Sequence, residues 1–409
     1  MRGLIINLVL FGLSFSCLAG DWPQLLGENR TGIYKGGLLP EWPSNGPNRL
    51  WKMKPGEGFA GPVVSGNTLV LFHRVGDEEV VEGMDARTGK SLLRVSYPTS
   101  YNDQFGFDNG PRAVPAIDGG QVFTLGAEGM VQCVDLKTGE IRWREDLEKS
   151  LNVSTGYFGL ACSPLVSGNG VYLNVGGKGD AGIICLSRKE GNLLWKATDQ
   201  EASYSSPAMA TFGGKQRVLF FAREGLVGLG PTSGKVAFEF IWRANMSASV
   251  NGATPVIHDD HIFLTSSYAT GAVLLKVDGD KVKKVWSGDE SLSSQYATPI
   301  YQDGFLYGLH GRHDFAPGAV IRCVEFTTGK VRWSSPYIKP ANLMLADGQL
   351  LILCETGQLI RAKATPDSFK ETGRAQILGT TVRAYPALAN GLFYARDKSQ
   401  LVCIELGNN

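Results

Sequence analysis

The sequence predicts an all-β fold: an eight-bladed β-propeller of four-stranded antiparallel blades. Three observations predict it. A hairpin signature ending in Trp recurs along the chain. A Pro that opens an apolar strand recurs with the same period. The two ends of the chain carry complementary pieces of one unit.

The hairpin signature is clearest in "GMVQCVDLKTGEIRW", Gly129 to Trp143. Val131, Cys133 and Asp135 alternate with Gln132 and Val134, Thr138-Gly139 signals a turn, and "EIRW" begins a second alternating run. That pattern is a β-hairpin. It returns in "VVEGMDARTGKSLL" ending at Leu93, "GIICLSRKEGNLLW" ending at Trp195 and "AVIRCVEFTTGKVRW" ending at Trp333. The positions equivalent to Asp135 are Asp85, Ser187, Gly230, Asp278, Glu325, Lys363 and Glu405. At a constant offset from the first six units stand Leu93, Trp143, Trp195, Phe238, Trp286 and Trp333. The seventh unit has Glu371 there, and the eighth runs out in "LVCIELGNN".

The second marker is Pro62, Pro115, Pro164, Pro207, Pro255, Pro299 and Pro386, with Leu343 in the remaining slot. Each opens a stretch such as "AIDGGQVFTLGAEG", a tight hairpin; Pro is admissible because a strand's first residue can forgo its ladder N–H. Each unit therefore holds four strands in roughly 46 residues, which fits a propeller blade better than a linear solenoid.

The ends decide closure. "LVCIEL" supplies a third strand without a fourth, while "NRLWKMK", Asn48 to Lys54, is isolated near the N-terminus and brings Trp51. Leu50 to Lys54 should pair with Leu401 to Leu406 and lock one ring, a single domain over 20–409. Composition agrees: Gly is abundant, at 52 of 409 residues, and helix-period stretches are nearly absent.

The first 19 residues, "MRGLIINLVLFGLSFSCLA", read as a secretory signal cut after Ala19. Lipidation at Cys17 is the lesser reading, because Ser14 stands where a lipoprotein signal usually has Leu. The protein should be periplasmic or secreted, with no transmembrane segment in the mature chain. The formal net charge is +1, and no like-charge run exceeds "DEE" at Asp77 to Glu79, so nothing suggests attraction to nucleic acid or an anionic membrane, and no nucleic-acid partner is expected. An exported chain with Cys133, Cys162, Cys185, Cys323, Cys354 and Cys403 invites a disulfide reading. Four of these occupy equivalent sites in different units, too far apart to bridge, so they read as small buried free thiols.

The D-x-x-T-G-x-x-x-W core, Asp135-Leu136-Lys137-Thr138-Gly139 through Trp143, resembles the repeat of pyrroloquinoline-quinone-type (PQQ) propellers. "DWPQLLGENRTGI" at Asp21 resembles the N-terminus of their secreted bacterial members. The resemblance implies that the repeat Trp packs between neighbouring blades. It also implies one of two functions: quinoprotein alcohol dehydrogenase, or non-catalytic scaffold of the BamB type, the outer-membrane-protein assembly factor.

In such a ring the Thr-Gly turns share one face, and the longer links between blades share the other. Those links should deliver Arg112, Tyr157, Tyr204, Ser205, Ser249 and Asn251 to the channel mouth. Gln295, Tyr296, Arg383 and Tyr385 should join them, a set suited to a polar ligand or simply to water. "LHGRHDFAPG" adds His310, Arg312 and His313; with Asp314 the histidines could ligate a metal, or a His could serve as base with the Asp orienting it, but their spacing on a loop reads as incidental. His258 and His261 belong to a turn on the opposite face, and the Gly-rich Gly176 to Gly182 is a strand-joining loop.

The dehydrogenase branch implies adjacent cysteines, a calcium ligand set and a catalytic Asp. The sequence has no Cys-Cys pair, and Asp103 and Asp108 are the best carboxylates on offer. The expectation is therefore an exported, monomeric, non-catalytic propeller that needs no cofactor. It would bind a protein partner or a small polar or saccharide ligand. A PQQ-dependent dehydrogenase using calcium is the alternative.

Overall fold

The computed structural model describes residues 20–37, 39–43, 45–246, 249–312 and 318–407. The expected signal segment with Cys17, and also His313 and Asp314, lie outside the described residues.

Eight sheets, each built around four antiparallel strands that are consecutive in the chain in all but the last, form the ring. Blade 1 spans 63–98, blade 2 116–146, blade 3 165–197 and blade 4 208–241. Blade 5 spans 256–288, blade 6 300–334 and blade 7 341–376. Blade 8 takes Ala387–Ala389, Leu392–Arg396 and Leu401–Glu405 from the C-terminus. Its fourth strand is Asn48–Met53, paired antiparallel with Leu401–Glu405 from Asn48 opposite Glu405 to Met53 opposite Leu401. Closure thus follows the sequence expectation, with the strand starting two residues earlier.

Each blade begins with a short inner strand and ends with a half-exposed outer one. In blade 2, Ala116–Asp118 leads to Gln121–Leu125, then to the buried Met130–Asp135 and the outer Ile141–Asp146. The turn between the last two is set by Asp135. Its Oδ1 accepts from Thr138 Oγ1 at 3.0 Å and from the N–H groups of Lys137 and Thr138 at 3.0 and 2.9 Å. Gly139 then takes φ +73°, a conformation a side chain would strain.

A register shift just before the Trp position interrupts the pairing of third and fourth strands in every blade. This bulge places each large residue opposite a chosen partner. Trp143 faces Cys133, Trp195 faces Cys185, Trp333 faces Cys323 and Trp51 faces Cys403, while Phe238 faces Gly228. All six described cysteines are free and buried, four of them serving as the small residue behind an aromatic wedge. The Trp rings reach the next blade. Trp143 Nε1 donates to Arg188 O at 2.9 Å, Trp195 Nε1 to Pro231 O at 2.8 Å and Trp286 Nε1 to Phe326 O at 2.9 Å.

The centre of the ring is not an open channel. The segment beginning at Asp21 runs across it. Trp22 exchanges hydrogen bonds with Val64 in blade 1 (3.0 and 2.8 Å), and Pro23 O accepts from Ile117 N in blade 2 at 2.7 Å. Ile33–Tyr34 adds a parallel strand inside the inner strand of blade 7. Arg30, buried, donates to Pro164 O in blade 3 and to Pro207 O in blade 4 at 3.1 Å, while its Nε binds Gln24. Burial pulls this guanidinium's pKa down to about 10, and carbonyl oxygens rather than a carboxylate surround it. The stretch "DWPQLLGENRTGI" is therefore a plug.

Candidate functional site

The plug turns the channel into a one-sided cavity on the face of the blade-to-blade links. Its volume is about 310 Å³, with Leu25 of the plug at its floor. Above the floor lie Ser163, Ser206 and Thr254, each preceding the Pro that opens an inner strand. Hydroxyls at this position link the blades: Val114 N donates to Ser163 Oγ at 2.9 Å and Ser163 N to Ser206 Oγ at 3.0 Å. Thr254 N donates to Thr298 Oγ1 at 3.0 Å and Thr298 N to the Tyr385 hydroxyl at 2.8 Å. These bonds satisfy backbone donors that the Pro-interrupted ladder leaves open.

The walls are aromatic: Phe59, Phe107, Phe158, Tyr204, Tyr268 and Tyr296. Two arginines stand among them. Arg112 donates through Nη2 to Asp103 Oδ2 at 2.9 Å and lies 5.6 Å from the Phe59 ring centre. Arg383 donates through Nε to Glu355 Oε1 at 2.8 Å, with the Phe59 ring at 5.6 Å and the Phe107 ring at 5.0 Å. Such cation–aromatic contacts fix the guanidinium planes.

Asp103 organises the loop that carries Phe107 and Arg112. Its carboxylate also accepts from the N–H groups of Phe105, Phe107 and Asp108, each at 3.0 Å. Desolvation, the largest single influence, opposes ionisation. The N–H donors of Asp108 and Phe105, together with Arg112, outweigh it and hold the carboxyl below its ordinary range. Asp108 accepts from Gly110 N at 2.9 Å. Both carboxylates fold the loop, and neither lines the cavity.

Of the residues expected at the channel mouth, the structure brings together Arg112, Tyr204, Gln295, Tyr296, Arg383 and Tyr385. Tyr204 accepts from Phe158 N at 3.0 Å, and burial pushes its hydroxyl up to about 12. Tyr385 donates to Tyr296 O at 2.8 Å and so joins blade 8 to the link before blade 6. The others are placed elsewhere. Ser205, Ser249 and Asn251 are buried, and Asn251 donates to Ala222 O at 2.9 Å as a loop brace. Tyr157 is half exposed at the rim, packed on Phe105 at 6.2 Å. Arg312 stacks its guanidinium 4.5 Å from the Tyr268 ring, behind the wall.

His310 sits apart from the cavity, its Nδ1 accepting from Ser293 N at 3.1 Å with Arg322 Nη1 at 3.0 Å. Burial first, and then the Arg322 charge, push it down to about 4, so it is a neutral structural imidazole. Among the described residues no group of three His, Cys, Asp or Glu could hold a metal ion. His258 and His261 flank the first turn of blade 5, where His258 stacks on Tyr301 at 3.9 Å. Gly176 and Gly177 donate to Gly182 O and Ala181 O, each at 3.0 Å, closing the strand-joining loop.

Sequence reasoning passed over Phe59, Phe107, Phe158, Tyr268 and Leu25. For Phe107 and Phe158 a signal was present: "NDQFGFDNG" and "STGYFGLAC" place aromatics in long links with no alternation to bury them.

The family described as outer membrane protein assembly factor BamB matches this chain over residues 76–335, the greater part of the ring. The chain belongs to the BamB family. BamB of Yersinia pestis is 21% identical over 295 residues, covering 69% of this chain and 71% of that protein. The crystal structure of BamB from Moraxella catarrhalis superposes with a TM-score of 0.64 at 14% identity, over 88% of this chain and 98% of that one. Quinohemoprotein alcohol dehydrogenase from Comamonas testosteroni superposes with a TM-score of 0.66 at 13% identity, over 95% of this chain and 81% of that one. At these identities the two structures share the fold.

The dehydrogenase likeness can be tested on the cavity of this BamB-family chain. A calcium ion takes six to eight oxygen ligands, carboxylates prominent among them. The described lining contains no Asp or Glu, and the carboxylates behind its two arginines, Asp103 and Glu355, are engaged by Arg112 and Arg383. No two cysteines are adjacent in the sequence. The donor set does not fit a calcium-bound quinone.

Proposed function

We propose that the protein is an exported, non-catalytic scaffold in outer-membrane-protein assembly, docking a protein partner on the face of the blade-to-blade links. The observation that carries this reading is an aromatic rim continuous with the cavity wall. Phe105 and Tyr157 are 52% and 49% exposed, and Phe105 packs on the wall residue Phe158 at 4.9 Å. Exposed aromatics around a concave centre are the composition of an interface core. The opposite face carries Asp-Thr-Gly turns that satisfy their own polar groups. Family membership supports the assembly role.

A photo-crosslinking residue in place of Tyr157 should capture a defined envelope protein in the native host. The same residue in place of Lys137, on the turn face, should capture none. Equal capture from both positions would refute the docking face. Oxidation of alcohols or sugars by the purified protein with quinone, calcium and a dye acceptor would replace the scaffold by the dehydrogenase.

A further inference from the structure

The cavity holds one guanidinium edge that the fold does not use. Arg383 is held by Glu355 at Nε and clamped between Phe59 and Phe107, yet neither of its Nη nitrogens has a hydrogen-bond acceptor among the described residues. Arg112 is bound to Asp103 through Nη2, but its Nη1 is buried without an acceptor. A further unsatisfied group shares the lining: Gln295 Oε1 is buried without a partner, while Gln295 Nε2 donates to the Tyr268 hydroxyl at 2.6 Å. The Tyr385–Tyr296 hydrogen bond ties together the links that carry Arg383 and Gln295. A buried lone acceptor is costly unless a ligand meets it, and the Nη fork of Arg383, whose side chain is 24% exposed, is open to one.

We propose that the cavity binds an N-acylated apolar amino acid, the chemistry of a peptide's C-terminal residue. Its carboxylate lies on the Nη edge of Arg383, its amide N–H on Gln295 Oε1, and its side chain among Phe59, Phe158 and Tyr296. The Nη pair matches a carboxylate's two oxygens. Asp103 and Glu355 already match the two arginine charges, so the carboxylate is held by hydrogen bonds to the Nη edge rather than by excess positive charge. Size agrees: 310 Å³ is at the low end of small-ligand cavities, ~300–1,000 Å³. The inference rests on the reading of this face as a recognition surface and adds what the centre of that surface takes.

Calorimetry on the mature protein tests it with four probes: N-acetyl-L-phenylalanine, its carboxamide, and a short peptide ending in Phe with a free or an amidated C-terminus. At least one free acid should bind, about tenfold or more tighter than its amide. Binding by the peptide acid alone assigns the site to a chain end, and binding by the small acid alone assigns it to a metabolite. Arg383→Gln should erase the preference for acid over amide, and Arg383→Lys should keep part of it. Equal binding of acid and amide by the native protein, or binding of neither, overturns the proposal whether or not the variants fold. Crosslinking from Tyr157 would then still stand, so loss of this inference is separable from loss of the docking face.

Discussion

Asp103 and Arg30 show how single buried polar groups shape the site. Asp103 gathers three N–H groups and one guanidinium, so Asp103→Asn would turn an amide donor toward other donors. The variant should lose about 2 kcal/mol and release the Phe105–Gly110 loop, read as new proteolysis there before global unfolding. Its contribution has a definite pH sign. Because the folded carboxyl titrates below its unfolded value, the stabilisation is complete above the ordinary carboxylate range and is lost as pH falls through the folded value. Arg30→Met removes the donor to inner-strand carbonyls in blades 3 and 4. Denaturant titration should show a loss of about 2–4 kcal/mol, the cost of unpaired buried acceptors.

At the scale of the blade, the repeated unit is a Trp wedged over the turn of the next blade. Gly191 takes φ +76°, and a methyl group there would meet the Trp143 ring at 2.6 Å. Gly168 takes φ +58° at a turn with nothing within 4 Å of such a methyl. Gly168→Ala should therefore cost about 1–2 kcal/mol from left-handed strain alone. Gly191→Ala should cost clearly more, and the difference between their thermal midpoints measures the wedge. This part of the architecture was legible in the chain, because the wedge needs fixed residue types at a fixed spacing. The pairing of Cys133 with Trp143 was not legible in full. Cys133 read as small and buried, but the bulge that sets it opposite the Trp is a backbone event with no residue signature.

For the whole molecule, closure and titration make separate predictions. Removing residues 20–54 takes away both the plug and the outer strand of blade 8, leaving Leu401–Glu405 as an open edge. That truncation should unfold at lower temperature and self-associate in light scattering, as exposed edges do. Burial raises the six thiols, Cys162, Cys323 and Cys354 to about 11 and Cys133, Cys185 and Cys403 to about 12. Their contribution is complete below the unfolded thiol value near 9 and is lost as pH rises through the folded values. Thermal midpoints should fall between about pH 9 and 12, and a thiol reagent at neutral pH should react only after denaturant is added.

The sequence by itself determined the ring. Blade number, strand order and closure by Trp51's strand follow from short-range patterns that every blade must repeat, and the resemblance to PQQ-type propellers implied the inter-blade role of the Trp residues. Tertiary structure alone decided the site. Six of the expected lining residues meet at the cavity, but Ser205, Ser249 and Asn251 turn inward, because adjacent residues of a link diverge once its backbone finds its hydrogen bonds. The plug was hidden for the same reason: the partners of Leu25 and Arg30 come from blades 1 to 4, far away in the sequence. A repeat is written locally in the chain, whereas a cavity at the centre of a ring is made of residues far apart in sequence whose directions are set by contacts that local pattern does not encode.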